Sequence, residues 1–434
     1  MPRQRRVVQG GWLYPGDGTP TKRQQAKFTS TVGPSWAAGV AQDGEYRRTA
    51  PTEAVGSIIE SGQDAKAEIL DKIDMLVSSE EGSVDMDGRL APVFSLCLVL
   101  VAGMYLAGCG PKAVTVDAAK LQLFKALPDL MESQKNPITE AKVSLGRMLY
   151  YEPRLSRNHD VSCNSCHDLA QYGVDGQPVS DGHKGQKGTR NSPTVYNAAG
   201  HFVQFWDGRA PDVEEQAKGP VMNPVEMAMS SEKQVVAVLK SMPGYVDAFK
   251  KAFPEERDPV TYNNMARAIG AFERRLVTPA RWDKFLQGDQ AALTDQEKTG
   301  FNKFMEAGCQ ACHAGAYLGG EMYQKLGAVK PFPDASDLGR EAVTKQESDR
   351  MIFKVPSLRN IEKTAPYYHT GKVPTLEAAV KEMAEYQLGK QLKDDEVASI
   401  VAYLKTLTGS IPAEYVKQPE LPKSTAKTPK PSNT

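Results

Sequence analysis

Two short motifs constrain this chain more than anything else in its 434 residues: Cys163-Asn164-Ser165-Cys166-His167 and Cys309-Gln310-Ala311-Cys312-His313. Two thiols three positions apart lie on one helical turn, and the next residue presents an imidazole beside them. This C-x-x-C-H spacing marks the attachment of a c-type haem: both thiols add to the porphyrin vinyl groups, and the imidazole takes one axial position on the iron. A redox cysteine pair and half of a zinc site are the competing readings. Zinc is poorly served, because only His159 and Asp168 stand close to the first motif as further ligands. Cys97 and Cys109 complete the six cysteines, which are too few for a disulfide scaffold in a chain of this length.

Each motif follows a capped helix. Asn136-Pro137 opens the first, with Asn as N-cap and Pro at the first position. Val143, Met148 and Leu149 supply its apolar face, and it stops before Pro153. Thr294-Asp295-Gln296-Glu297 is a capping box that opens the second, through Phe301 and Phe304. A capped helix leading to C-x-x-C-H thus occurs twice, as an internal duplication of a cytochrome c module. Ser231 caps a further helix with Val235, Val238 and Leu239 on one face. The stretch 261–277 is helical with Met265, Ile269 and Phe272 aligned. Asp394-Asp395-Glu396 begins a last helix that reaches Leu407, with Gly409 as its C-cap. No long alternating pattern argues for a substantial sheet. The expectation is a mainly α fold with little β structure: two cytochrome c-type haem domains in tandem, 109–280 and 281–415. Residues 416–434, rich in Pro, Lys, Ser and Thr, are expected to be disordered.

Upstream, Ala91 to Gly108 carries no charge and ends in Leu106-Ala107-Gly108-Cys109. That is a lipoprotein-type signal with Arg89 as a weak positive flank and Cys109 as the lipidated residue; an uncleaved anchor is the alternative. Haem c is attached outside the cytoplasm, so an export signal fits the motifs. Residues 86–108, starting at Met86, form the expected signal peptide. Residues 1–85 are then an extension outside the mature protein, which is expected in the periplasm on a lipid anchor. Lys plus Arg (53) equals Asp plus Glu (53), so no net field favours nucleic acid.

A second axial ligand decides whether a haem carries electrons or does chemistry. Met raises the potential, a second His lowers it, and an open position admits a small molecule. His159, His183, His201 and His369 are available, and fifteen methionines make a choice on composition impossible. His183 stands in Asp181-Gly182-His183-Lys184-Gly185-Gln186-Lys187-Gly188, a glycine-rich loop able to move. It is either a ligand that binds in one state and leaves in another, or a solvent-exposed loop histidine.

From Leu145 to Gly409 the chain resembles the bacterial di-haem cytochrome c peroxidases. The matching blocks are LSRNHDVSCNSCHDL, GQKGTRNSPTVYNA, FWDGRAPDVEEQAKGPVMNPVEM, FNKFMEAGCQACH, FKVPSLRNIEKTAPYYHTG and AEYQLG. The resemblance implies that the first haem is the peroxidatic one, with His167 as proximal ligand and His183 as a removable distal ligand. It implies Gln216 and Glu226 as the polar residues of the distal pocket and Trp206 as the aromatic between the haems. His313 and Met383 match the ligands of the second haem, which receives electrons from a small cytochrome c or a copper protein. Asn191, with the carbonyls of Thr364 and Pro366, matches a calcium site. Hydrogen peroxide is the implied substrate and a homodimer the implied assembly. Two other readings compete. The related di-haem oxidases that mature a tryptophan-derived quinone cofactor on a partner protein carry Tyr where Met383 stands. A non-catalytic electron carrier or redox sensor has no use for Glu226, Gln216 and a mobile His183.

Overall fold

A computed structural model describes residues 113–432, and the signal segment, Cys97, Cys109 and residues 1–85 lie outside them. The main helices are α1 (Glu140–Tyr150), α2 (Val213–Met222), α3 (Glu232–Lys240), α4 (Pro243–Ala252), α5 (Tyr262–Glu273), α6 (Arg281–Leu286), α7 (Asp295–Ala307), α8 (Leu376–Leu388), α9 (Asp394–Lys405) and the short α10 (Ala413–Val416). Single helical turns link them. The strands β1 (Tyr323–Lys325) and β2 (Ile352–Lys354) pair antiparallel, with Gln324 opposite Phe353. The protein is therefore mainly helical, as the periodicities predict.

The duplication is visible as one helix crossing used twice. In the first half α1 crosses α5 at Gly146, where a Cβ would stand 1.9 Å from the carbonyl oxygen of Ala268. In the second half α7 crosses α9 at Gly300, where a Cβ would stand 1.9 Å from the carbonyl oxygen of Ser399. Only a residue without a side chain lets the two backbones meet this closely. Around the first crossing lies an apolar core that includes Leu145, Leu149, Val235, Leu239, Phe249, Met265 and Ile269. Around the second, Trp282, Phe301 and Tyr403 interlock with ring centroids 5.1 to 5.3 Å apart. Aromatic clusters of this geometry add to the burial term.

Several helix ends match the sequence reading. The Thr294–Glu297 capping box opens α7, and Ser231 Oγ accepts from Gln234 N at the head of α3. The head of α1 differs. Its cap is Thr139, whose Oγ1 accepts from Lys142 N, while Asn136 is buried. Asn136 Nδ2 donates to Glu214 Oε1 (3.0 Å) and to Arg267 O (2.8 Å), so its amide serves tertiary structure rather than the helix end. Helix α9 closes at Thr406, and Gly409 instead pairs with Ala280.

Both terminal segments cross the expected boundary at residue 280. Phe124 packs in the second-half core against Trp282 and Phe301. The C-terminal stretch, expected to be disordered, runs as an ordered strap along the first half as far as residue 432. Its carbonyls are taken one after another: Tyr415 and Val416 by the Tyr151 hydroxyl, Lys417 by Arg147, and Pro422 by Arg154. Tyr415, Val416 and Leu421 pack beside Phe272. Composition read the lack of a core in this stretch correctly, but not the core supplied by its neighbours.

Candidate functional site

The first motif is one helical turn, Cys163–Cys166, whose entrance is tied by Ser162 N donating to Ser165 Oγ (3.0 Å). The His167 amide donates to Cys163 O, and the His167 carbonyl accepts the Tyr150 hydroxyl of α1 (2.6 Å). The second motif starts after Gly308, whose φ of +98° ends α7 and turns the chain into Cys309. His313 differs from His167 in one respect. Its Nδ1 bonds the Leu318 carbonyl at 2.9 Å, which orients the ring and leaves Nε2 available to a metal. His167 Nδ1 has no bonded partner; the backbones of Gly173 and Pro193 approach it without completing a bond. Desolvation lowers the proton affinity of both imidazoles, which favours the neutral, ligating form.

No disulfide joins the four motif cysteines to one another, and burial raises the thiol proton affinity of Cys163, Cys166 and Cys309. They open on one cavity of about 770 Å³ that both motifs share. Trp206, Gln216, Glu226 and Met383 line it, as do Asn191, Thr364 and Pro366. The apolar face of α8, from Leu376 through Ala379, Val380 and Met383 to Leu388, borders this space, while Leu376, Ala379 and Val380 also pack on the second-half core. An apolar stripe along a cavity of this size suits a large apolar occupant. Two thiol pairs, two neutral imidazoles and that stripe form the donor set and the container that two covalently attached haems need.

Glu226 sits in the turn after α2. Asn223 Nδ2 donates to its Oε1 at 2.7 Å. Desolvation raises its proton affinity, opposed by Arg209 and by the Asn223 bond. Trp206 Nε1 donates to Asn191 O (2.9 Å), and its ring meets His369 edge-on. Asn191 Nδ2 is held by the carbonyls of Gln177 and Pro178. His183 does not line the cavity. It is buried, its Nδ1 has no partner, and its amide donates to the carbonyls of Val225 and Glu226. The loop is latched to the turn that carries Glu226. Gly182 makes this possible, since a Cβ there would stand 2.1 Å from Val225 O.

Sequence reading passed over three groups. Lys354 Nζ meets His201 Nδ1 at 3.2 Å on the cavity wall, and burial lowers the lysine to about 8. Arg190 joins Asp207 and Asp337 by close ion pairs. Glu273, on α5, lines the cavity one turn after Ile269. A charge on the apolar face of an otherwise regular helix was the available signal for Glu273.

Comparison with known proteins decides the family. The model of the di-haem cytochrome c peroxidase family matches residues 140–291. The cytochrome c551 peroxidase of Pseudomonas aeruginosa is 50% identical over 317 residues, covering 71% of this chain and 90% of that protein. The chain belongs to the di-haem cytochrome c peroxidase family. The cytochrome c551 peroxidase of Nitrosomonas europaea is 49% identical over 288 residues, covering 66% of this chain and 85% of its own. A solved MauG-like protein associated with microbial copper homeostasis superposes with a TM-score of 0.59 at 28% identity, covering 71% of this chain and 97% of its own. This di-haem peroxidase is thus an oxidoreductase acting on hydrogen peroxide, with a haem c at each C-x-x-C-H motif.

Proposed function

We propose that the half carrying residues 163–167 reduces hydrogen peroxide and that the half carrying 309–313 receives the electrons. The observation that supports this most is the unequal lining of the shared cavity. Glu226 and Gln216 lie on the first half's side of the sequence, and the methionine-bearing face of α8 on the second's. When bound, the haems supply one-electron exchange and, at an iron with a free position, a place for peroxide. The residues do the rest. His313 and Met383 would hold the second haem iron, a ligand pair that would raise its potential. His167 serves as the one constant ligand of the first. Gln216 orients peroxide by a hydrogen bond. Glu226 takes a proton from the nearer peroxide oxygen and returns it to the leaving one. The net reaction consumes two electrons and two protons and yields two waters.

His183 is the gate. The 181–188 loop is tied to the Glu226 turn through the His183 amide, and a shift of that loop would add or withdraw the imidazole as a ligand of the first haem. Trp206 lies between the halves as a polarisable bridge. Asn191 Oδ1 with the carbonyls of Thr364 and Pro366 would take calcium, a hard cation suited to neutral oxygens. The donor is a small cytochrome c or a copper protein. Export through the 86–108 signal with lipidation at Cys109 would place the enzyme in the periplasm, and two copies would form the homodimer. The 50% likeness to a cytochrome c551 peroxidase against 32% to the methylamine utilization protein MauG, with Met at 383, supports the peroxidase reading. Stopped-flow mixing of the half-reduced enzyme with peroxide tests the reading. Rapid spectral change at the first haem with oxidation of the second is expected; a second haem that reacts with peroxide while the first stays silent would reverse the assignment.

A further inference from the structure

Glu273 and Arg274 are neighbours on α5, and helix geometry turns their side chains about 100° apart. Arg274 faces inward and is fully engaged. Its Nε and Nη2 bond Glu214 Oε1 and Oε2 at 3.0 and 2.9 Å, and Nη1 reaches the Met131 carbonyl. Asn136 completes the shell of Glu214. Glu273 faces the cavity instead, on the same wall as Ile269 and Cys163. It is 4% exposed and lines the cavity. An ionised carboxylate left this way costs several kcal/mol. Such a group either holds a proton or answers to whatever fills the cavity.

No protein group neutralises it. Glu214 of α2 repels its charge, and the adjacent Arg274 offsets this only in part. Burial pushes up Tyr150 of α1 and the Cys163 thiol, and the charge of Glu273 adds to both shifts. Lys142 of α1 is turned away, onto Asn136 Oδ1 and the Pro137 carbonyl. Glu232 of α3 acts on Tyr262 at the other end of α5. Residues 198–200 carry no charge. Burial first, and then Glu214, lift the acid to about 8, within reach of physiological change.

We infer that Glu273 is a redox-linked proton site for the haem held by Cys163 and Cys166. One electron added to that haem makes the cavity more negative, and the Glu273 carboxylate takes one proton from solvent to become the neutral acid. Loss of the electron returns the proton. No other bond forms or breaks. Near and above about pH 8, where the carboxylate is present, an electron that reaches the first half thus arrives with charge compensation on the α5 wall, separate from the proton moved by Glu226. The inference rests on a haem at the first motif and is independent of which half reduces peroxide.

Optical redox titration of the holoenzyme from about pH 6 to about pH 10 tests it, because the value near 8 lies inside that window. In the wild type the first-haem reduction equilibrium should be flat below that value and fall with pH above it, by at most about tenfold per pH unit, equivalent to about 59 mV for one electron. Glu273→Gln should flatten this dependence, with the second haem unchanged. Glu226→Gln should keep it. A wild-type profile without the slope, a Glu273→Gln profile that retains it, or its loss in Glu226→Gln would overturn the inference. If Glu273→Gln fails to load both haems, infrared difference spectra of the wild type decide. A protonated-carboxyl band that grows on reduction and shifts in deuterium oxide supports the site, and its absence refutes it. Since the readout is a potential or a vibrational band, a protein inactive towards peroxide would still report on Glu273.

Discussion

The two halves build the same scaffold and then diverge in how they treat the imidazole that follows the second cysteine. Each crosses two helices at a glycine and hangs a C-x-x-C-H turn from the result. The second half anchors His313 to the Leu318 carbonyl and sets the apolar face of α8 opposite. The first leaves His167 Nδ1 without a bond and borders its space with Gln216, Glu226 and Arg209. A fixed ring in an apolar setting suits a site that only passes electrons, because little has to reorganise. Groups that bind and release protons beside the first motif suit the bond-breaking role proposed for that half. Duplication supplied the scaffold twice, and on that proposal the lining separates the two roles.

Exchanging the linings should have the largest effect. Glu226→Gln removes the proton carrier while keeping the Asn223 contact sterically possible, and should slow peroxide turnover by about two to four decades. Met383→His should leave both haems attached but lower the second haem's potential, as a second imidazole does. Single-turnover kinetics and redox titration read these separately. If Glu226→Gln altered only the second haem's potential, or Met383→His only the peroxide step, the division of roles argued above would be wrong.

The shared scaffold is tested next. Gly146→Ala and Gly300→Ala each drive a methyl group against a backbone carbonyl, which the crossing helices cannot avoid without separating. Each should destabilise the protein by an amount at the top of, or above, the ~1–3 kcal/mol usual for overpacking. Thermal unfolding followed at the two haem bands should show Gly146→Ala acting on the first half and Gly300→Ala on the second. Equal tolerance of alanine at both sites would mean that the crossings are looser than the backbone distances imply.

How much of this was legible in the sequence varies with where each residue's reason lies. The cysteines and histidines of both motifs, the Thr294–Glu297 box and Ser231 carry their reasons within a few positions, so local spacing exposed them. Gly146 and Gly300 do not: their reasons are the carbonyls of Ala268 and Ser399, far along the chain. The same holds for Asn136, which looks like a cap and is instead a partner of Glu214. His183 was visible as a special loop residue, yet its docking on Val225 and Glu226 is a tertiary fact. The strap beyond residue 413 was misread because composition reports what a segment buries in itself. Here Arg147, Tyr151 and Arg154 of the first half satisfy its carbonyls. Deleting residues 413–434 should therefore lower stability by about 1–3 kcal/mol, since bonds to charged donors are lost. Denaturant unfolding should place that loss in the first half. An unchanged midpoint there would show the strap to be passive.

The smallest expected effect is a displacement along the pH axis, and it sharpens the contrast in lining. In the proposed role Glu226 must be a carboxylate to accept the peroxide proton, so activity should rise as pH passes upward through its proton affinity. Desolvation raises that affinity, so the acid limb should lie above the ordinary carboxylate value of about 4.3. Arg209 acts in the opposite direction, because a nearby cation stabilises the carboxylate. It is held in place by Asp207 Oδ1 and Oδ2 (3.0 and 2.9 Å) and by the ring of Phe205. Arg209→Met removes the charge, while Asp207 keeps Arg190 as a partner, so the fold should survive. The limb should then move to higher pH, and Arg209→Lys should restore most of the shift. The second haem's potential should stay put in both variants. A limb that stayed fixed in Arg209→Met, or moved to lower pH, would show that the first half's proton chemistry is set by burial alone and not by the charge placed beside it.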